Sequence, residues 1–218
     1  MINKLKRYAL LLAALGSALA ASAQAQYLTS PTTPTLITPE AGNTAFLVGH
    51  ATGTQGYICL PTSPGAATAS WTVKPARPEA TLFQPLFGQD FQIITHFLSP
   101  DAKPNNDAPS PLPFGSATWQ SSLDSSKVWA AVLHGNSIPA GSDPSCPNAG
   151  SIPCLLLQAI GSQHGPSGGS ALSKTTFVQR LNTNGGVAPA DGCAVSADVG
   201  NQVLVPYTAD YYFFRKSR

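Results

Sequence analysis

The run from Val203 to Phe214 alternates strictly, with Val203, Val205, Tyr207, Ala209, Tyr211 and Phe213 on one face and Leu204, Pro206, Thr208, Asp210, Tyr212 and Phe214 on the other. The first face is apolar throughout, which at the two-residue period of a strand predicts a long β-strand with one side on the core. Pro206 has no N–H to give to a ladder, so it marks an edge position or a bulge. Upstream, short β-branched and aromatic runs recur between turn signals: Ala45 to Val48, Gln55 to Leu60, Ser70 to Lys74, Ala80 to Phe83, Phe91 to Phe97, Lys127 to Leu133, Cys154 to Ile160 and Leu172 to Leu181. Val128 to Leu133 is apolar on both faces and reads as a central strand. The Leu-rich run after Cys154 suits a strand or a buried helical turn and is taken as a strand. With 19 Gly, 20 Pro and only 10% charged residues, turns are favoured over long helices. The expectation is an all-β fold, an antiparallel β-sandwich or partly closed barrel with long Pro/Gly-rich loops and two disulfides.

At the other end of the chain, Lys4, Lys6 and Arg7 precede the apolar run Ala9 to Ala20 and the small-residue tail Ala21-Ser22-Ala23-Gln24-Ala25. These are the three parts of a secretory signal peptide, residues 1–25, with cleavage expected after Ala25 and the product secreted or periplasmic. The apolar run is shorter than the roughly 20 residues a membrane-spanning helix needs, and no later segment approaches that length. Residues 26–43, rich in Thr and Pro, are expected to form an extended lead-in, residues 44–214 a single β-domain and residues 215–218 a basic tail. Removing the leader from the 218 residues leaves 9 Lys and Arg against 10 Asp and Glu. That balance gives no electrostatic footprint for nucleic acid. A monomer is expected. Two long loops, Ser99 to Ser116 and Gly161 to Gly169, read as excursions from the scaffold, not as linkers between domains.

Cys59, Cys146, Cys154 and Cys193 are an even set in an oxidising compartment, where disulfides are the default. No Cys-x-x-Cys spacing points to zinc or to a redox pair. The local pairing Cys146 with Cys154, around a Pro/Gly/Asn loop, leaves Cys59 with Cys193. Gly165-Pro166-Ser167-Gly168-Gly169 matches the serine-hydrolase pattern, but that elbow lies between a strand and a helix and its His follows the Ser. Here the last His is His164, so the match is rejected. No Gly-x-Gly-x-x-Gly follows a strand, so no dinucleotide or other cofactor is implied. His50, His96, His134 and His164 show no spacing that puts two imidazoles on one face, and no metal site is expected. His96, inside an apolar run, either finds a structural partner or acts as a ligand or acid/base group, with Glu79 and Asp124 as companions. Trp119 and Trp71 are read as packing residues with ligand stacking as the alternative.

Several pieces in order, Gly53 to Cys59, Pro78-Glu79-Ala80-Thr81-Leu82, His96-Phe97, Trp119, Gln179 to Pro189, Cys193 and Tyr207 to Phe213, resemble the domain-of-unknown-function family 3455, a group of exported bacterial and fungal proteins. The resemblance spans about residues 36 to 214. It implies a Cys59 to Cys193 pair, in agreement with the pairing above, and no established activity. The chain departs from the family pattern at Asp124-Ser125-Ser126, at the Pro-rich loop and at Cys154, so the Cys146 to Cys154 clip is a local elaboration. The leading functional expectation is a non-catalytic envelope or extracellular domain that binds a small molecule, glycan or protein, or serves a structural role. An extracytoplasmic enzyme or metal protein centred on His96 is the rival.

Overall fold

The computed structural model describes residues 28–73, 79–99 and 116–217. The expected leader at residues 1–25, most of the Pro-rich loop (residues 100–115) and residue 218 lie outside these. Among the described residues nine strands follow one another: β1 (Asn43–Pro61), β2 (Ala69–Thr72), β3 (Glu79–Leu86), β4 (Gln89–Ser99), β5 (Ser116–Ser121), β6 (Lys127–Ile138), β7 (Cys154–Gln163), β8 (Phe177–Gly185) and β9 (Gln202–Lys216). All pairings are antiparallel, in the order β2-β1-β3-β4-β5-β6-β7-β8-β9, and β1 also pairs with β9 from Asn43 opposite Lys216 to Ile58 opposite Gln202. The sheet thus closes on itself. Strand β1 and strands β3 to β9 form an eight-stranded antiparallel barrel, and β2 pairs with the far end of β1.

The runs Ala45 to Val48 and Gln55 to Leu60 belong to one strand, because Gly49, Ala51 and Gly53 between them serve as inward-facing small residues, not turns. Ala51, Ala80 and Ala209 are buried on the same wall. Gly53 lies opposite Ala80 and Tyr207. A Cβ at Gly53 would strike the Glu79 carbonyl and Ala80. Beside these small residues, on β5 and β9, stand the large rings, with Trp119, Tyr211 and Phe213 at most 1% exposed and Tyr211 directly opposite Gly49. Small residues facing large ones fill a narrow barrel to interior density. Ser116 to Ser121, too polar to register as a run, is β5, whose inward Trp119 sits opposite His96 and Val128.

We call upper the end at which β1 finishes and β9 begins. At the lower end, Leu172, in the connection from β7 to β8, is fully buried within the barrel core. Its N–H donates to the Ser126 hydroxyl at 3.0 Å. Residues 172–176 are therefore a stopper, and the strand expected from Leu172 begins only at Phe177. Pro206 pairs with Thr54 of β1 at a point where β8 has already ended at Gly185. Arg215 and Lys216, expected in a tail, extend β9 against Thr44 and Asn43.

A second cluster lies outside the barrel wall. The lead-in makes a 3₁₀ turn at Thr35–Ile37, and Ile37 is fully buried against Leu156, Phe177, Leu181 and Phe214 beside the Cys146–Cys154 disulfide. Gln179 donates to the Ile37 carbonyl at 2.6 Å. One apolar residue thus anchors a segment whose prolines predicted only extended chain. Both expected disulfides are present.

Candidate functional site

Cross-strand partners share a face, so the pairing of His96 with Ala80 and Trp119, both buried in the barrel core, points the imidazole inward. The ring stacks on Trp119 with centroids 4.2 Å apart and planes 6° from parallel, and it tilts against Tyr211 at 5.6 Å. Nδ1 donates to the Thr118 carbonyl at 2.9 Å, which fixes the Nδ1–H tautomer of the neutral ring. Burial pushes the pKa of His96 down to about 4, against the opposing Thr118 hydrogen bond and with help from the charge of Arg180. The ring is uncharged at neutral pH.

Three tyrosines complete the upper half of the interior. Tyr207 and Tyr211, four residues apart on the inward face of β9, join hydroxyl to hydroxyl at 3.0 Å. Burial raises the pKa of Tyr207, and its neighbour Tyr211 raises it further. Tyr57 donates to the Gly186 carbonyl at 2.6 Å. Arg180 of β8 lies between Leu155 of β7 and Tyr211 of β9, both facing inward, so its side chain enters the barrel. Its Nη2 donates to the Pro153 carbonyl at 2.8 Å, while Nε is buried with no hydrogen-bond partner. Sequence reading passed over Arg180, because an arginine in a strand reads as a solvent-facing residue. The available signal was its place two residues after Val178, on that residue's face.

The other candidates lie elsewhere. Glu79, first in β3, is exposed on the outer face of the wall. There it borders a cleft of about 440 Å³ with Thr52, Thr54, Thr81, Thr95 and Phe97. His96 underlies that cleft in the same wall, with its ring turned to the other side. Asp124 sits in the lower-end turn between β5 and β6. It accepts hydrogen bonds from the Ser126 N–H (3.0 Å) and hydroxyl (2.7 Å) and from the Ala171 N–H (2.8 Å). Burial alone would raise its pKa, but these bonds outweigh it and hold the carboxyl at about 2. Asp124 is thereby the staple that holds the stopper loop. Trp71 of β2 donates from Nε1 to the Asp191 carbonyl at 3.2 Å, outside the barrel. Of the named candidates, only His96 and Trp119 come together.

The same staple accounts for the hydrolase-like pattern. Gly165 and Gly169 pass so close to Asp124 that a Cβ on either would collide with it, and the Gly165 N–H donates to Gly169 across a tight loop. The two glycines are set by close approach, in a strand-to-strand connection instead of a strand-to-helix elbow. Among the described residues, no group of three His, Cys, Asp or Glu side chains could hold a metal ion.

No curated protein and no solved structure shows significant similarity to the chain. A family model described as a protein of unknown function, DUF3455, matches residues 39–215, from just before β1 to the penultimate residue of β9. That match takes in the whole barrel, and the chain belongs to the DUF3455 family.

Proposed function

We propose that this chain is an exported, non-catalytic binding protein that takes up a small molecule on its barrel scaffold. The observation that carries the reading is the state of His96. The ring is buried, stacked on Trp119, bonded through Nδ1 and neutral, with Glu79 outside the wall and Asp124 at the far turn. A general acid or base needs a partner within reach and a pKa near the working pH, and this ring has neither. Two disulfides support an oxidising location, and no helix among the described residues is long and apolar enough to cross a membrane.

The rival, an enzyme or metal protein centred on His96, makes a different forecast. Elemental analysis of protein purified from an oxidising compartment without chelator, alongside His96→Ala, separates the two. The binding reading expects no stoichiometric transition metal in either form, and a folded His96→Ala less stable by about 3 kcal/mol, the scale of emptying a buried ring site. A near-stoichiometric metal that leaves with the ring would overturn it.

A further inference from the structure

The cleft on the outer face of the wall takes its order from strand register. Thr52 of β1, Thr81 of β3 and Thr95 of β4 stand in one cross-strand row. Two residues along, Thr54 pairs with Glu79, and Phe97 follows Thr95 on β4 at the same interval. These six side chains form a grid of two rows on three strands, about 7 Å between rows and about 10 Å across the strands. Between the rows lie Gly53, Ala80 and His96, which face the interior and offer the cleft only backbone. The volume, about 440 Å³, is that of a small-molecule site. Such sites are mostly apolar, and this one is not: four hydroxyls and a carboxylate accompany a single phenyl ring. Thr52, Glu79 and Thr95 are exposed, and Thr54, Thr81 and Phe97 half-buried. Thr95 accepts from Gln92 Nε2 at 3.1 Å. Among the described residues, no hydrogen bond occupies the hydroxyls of Thr52, Thr54 and Thr81, and no cation pairs with Glu79.

We infer that this cleft binds a neutral sugar. A hydroxyl both gives and takes a hydrogen bond, so a field of threonines matches a ligand built of hydroxyls. A carboxylate only accepts, and two neighbouring sugar hydroxyls donate to its two oxygens in charge-assisted bonds. The Phe97 ring, at a corner of the grid, gives the C–H face of a pyranose a flat apolar surface to lie on. An anionic ligand would be repelled by Glu79. A metal ion would lack donors, since no group of three His, Cys, Asp or Glu side chains forms there among the described residues. The inference names the ligand class of the binding-protein reading and rests on it.

The test is a titration of the disulfide-bonded protein, followed by amide chemical shifts, with maltotriose, cellotriose and tri-N-acetylchitotriose, and with putrescine as a cationic control. Saturable binding of at least one trisaccharide is expected, with shifts centred on residues 52–54, 79–81 and 95–97, and none of putrescine. Glu79→Gln should weaken that binding about tenfold or more, the worth of hydrogen bonds to a charged group, and Thr81→Val about fivefold, the worth of a neutral one. Both positions face outward, so each variant should melt within about 2 °C of the native protein, and a loss of affinity is then not a loss of fold. Thr52→Val, more exposed, stands in for a variant that does not fold. Failure of all three sugars to bind, shifts centred elsewhere, binding that Glu79→Gln leaves unchanged, or Glu79-dependent binding of putrescine in place of a sugar overturns the inference. Each of these leaves the His96 experiment to decide the broader reading separately, since that test involves neither Glu79 nor a sugar.

Discussion

His96 and Asp124 hold protonation states that differ between the folded and unfolded chain, and each writes a window into the pH dependence of stability. Folded His96 takes its proton only near pH 4, the unfolded chain near 6.5. Between those values the unfolded state binds more protons, so stability rises with pH. The contribution is complete above about 6.5 and is lost as pH falls toward 4, by about 3 kcal/mol in all. Asp124 acts lower: folded at about 2 against 3.8, it adds stability above the unfolded value that disappears as pH falls through 2. Urea unfolding between about pH 7.5 and 4 should therefore lose stability steeply in the native protein and much less in His96→Phe, which keeps a buried ring without a titrating nitrogen. A native profile flat across that range would mean that the ring is not held neutral. Of the site residues, the sequence made His96 conspicuous because a polar ring interrupted an apolar run. Arg180 stayed hidden, because direction in a strand is relative to neighbours and the bulge between Leu181 and Asn184 breaks the count from the legible end of β8.

The β3–β4 hairpin outruns the barrel. Its last pairs, Gln84 with Phe91, Pro85 with Asp90 and Leu86 with Gln89, lie beyond the last partner on β1, opposite Phe83, and the last on β5, opposite Ile94. The loop that closes it is two residues, Phe87 and Gly88, with φ of 51° and 75°. Positive φ at both positions is a type I′ turn, which favours Asn-Gly, and a bulky residue in the left-handed region costs about 1–2 kcal/mol. Phe87 is 93% exposed, so no packing offsets that cost. Phe87→Asn should raise stability by about 1 kcal/mol and the melting temperature by roughly 2–4 °C. A lower melting temperature would show that the ring is held by a contact absent from the isolated chain. At this scale legibility followed side-chain contrast. Strand β9 could be read because one face is apolar throughout. The length of β1 could not, since residues chosen for smallness, Gly49 and Gly53, look like turn residues, and β5 turns only Ala117, Trp119 and Ser121 inward.

Closure of the ring is the property of the whole molecule, and the long disulfide guards it. Cys59 lies near the end of β1, just past the last β9 partner at Ile58, and Cys193 lies in the segment that leads into β9. Around the bridge, the Cys59 N–H donates to Asn201 at 2.8 Å and the Gly200 N–H to Cys59 at 3.0 Å. The β1–β9 ladder joins strands from opposite ends of the domain, so in an unfolded chain it is the costliest contact to re-form. The bridge spans 134 residues, and the Cys146–Cys154 clip spans 8. On the chain-entropy model these are worth about 5 and about 2.5 kcal/mol respectively. Replacing Cys59 and Cys193 together by Ala should thus cost about twice as much as replacing Cys146 and Cys154, measured by urea unfolding of each double variant. The local clip has a different charge, to hold the outer cluster around Ile37, so its loss should free the lead-in while the barrel stays closed. The reverse order, with the clip variant the less stable, would mean that the outer cluster and not the β1–β9 ladder limits the stability of the barrel.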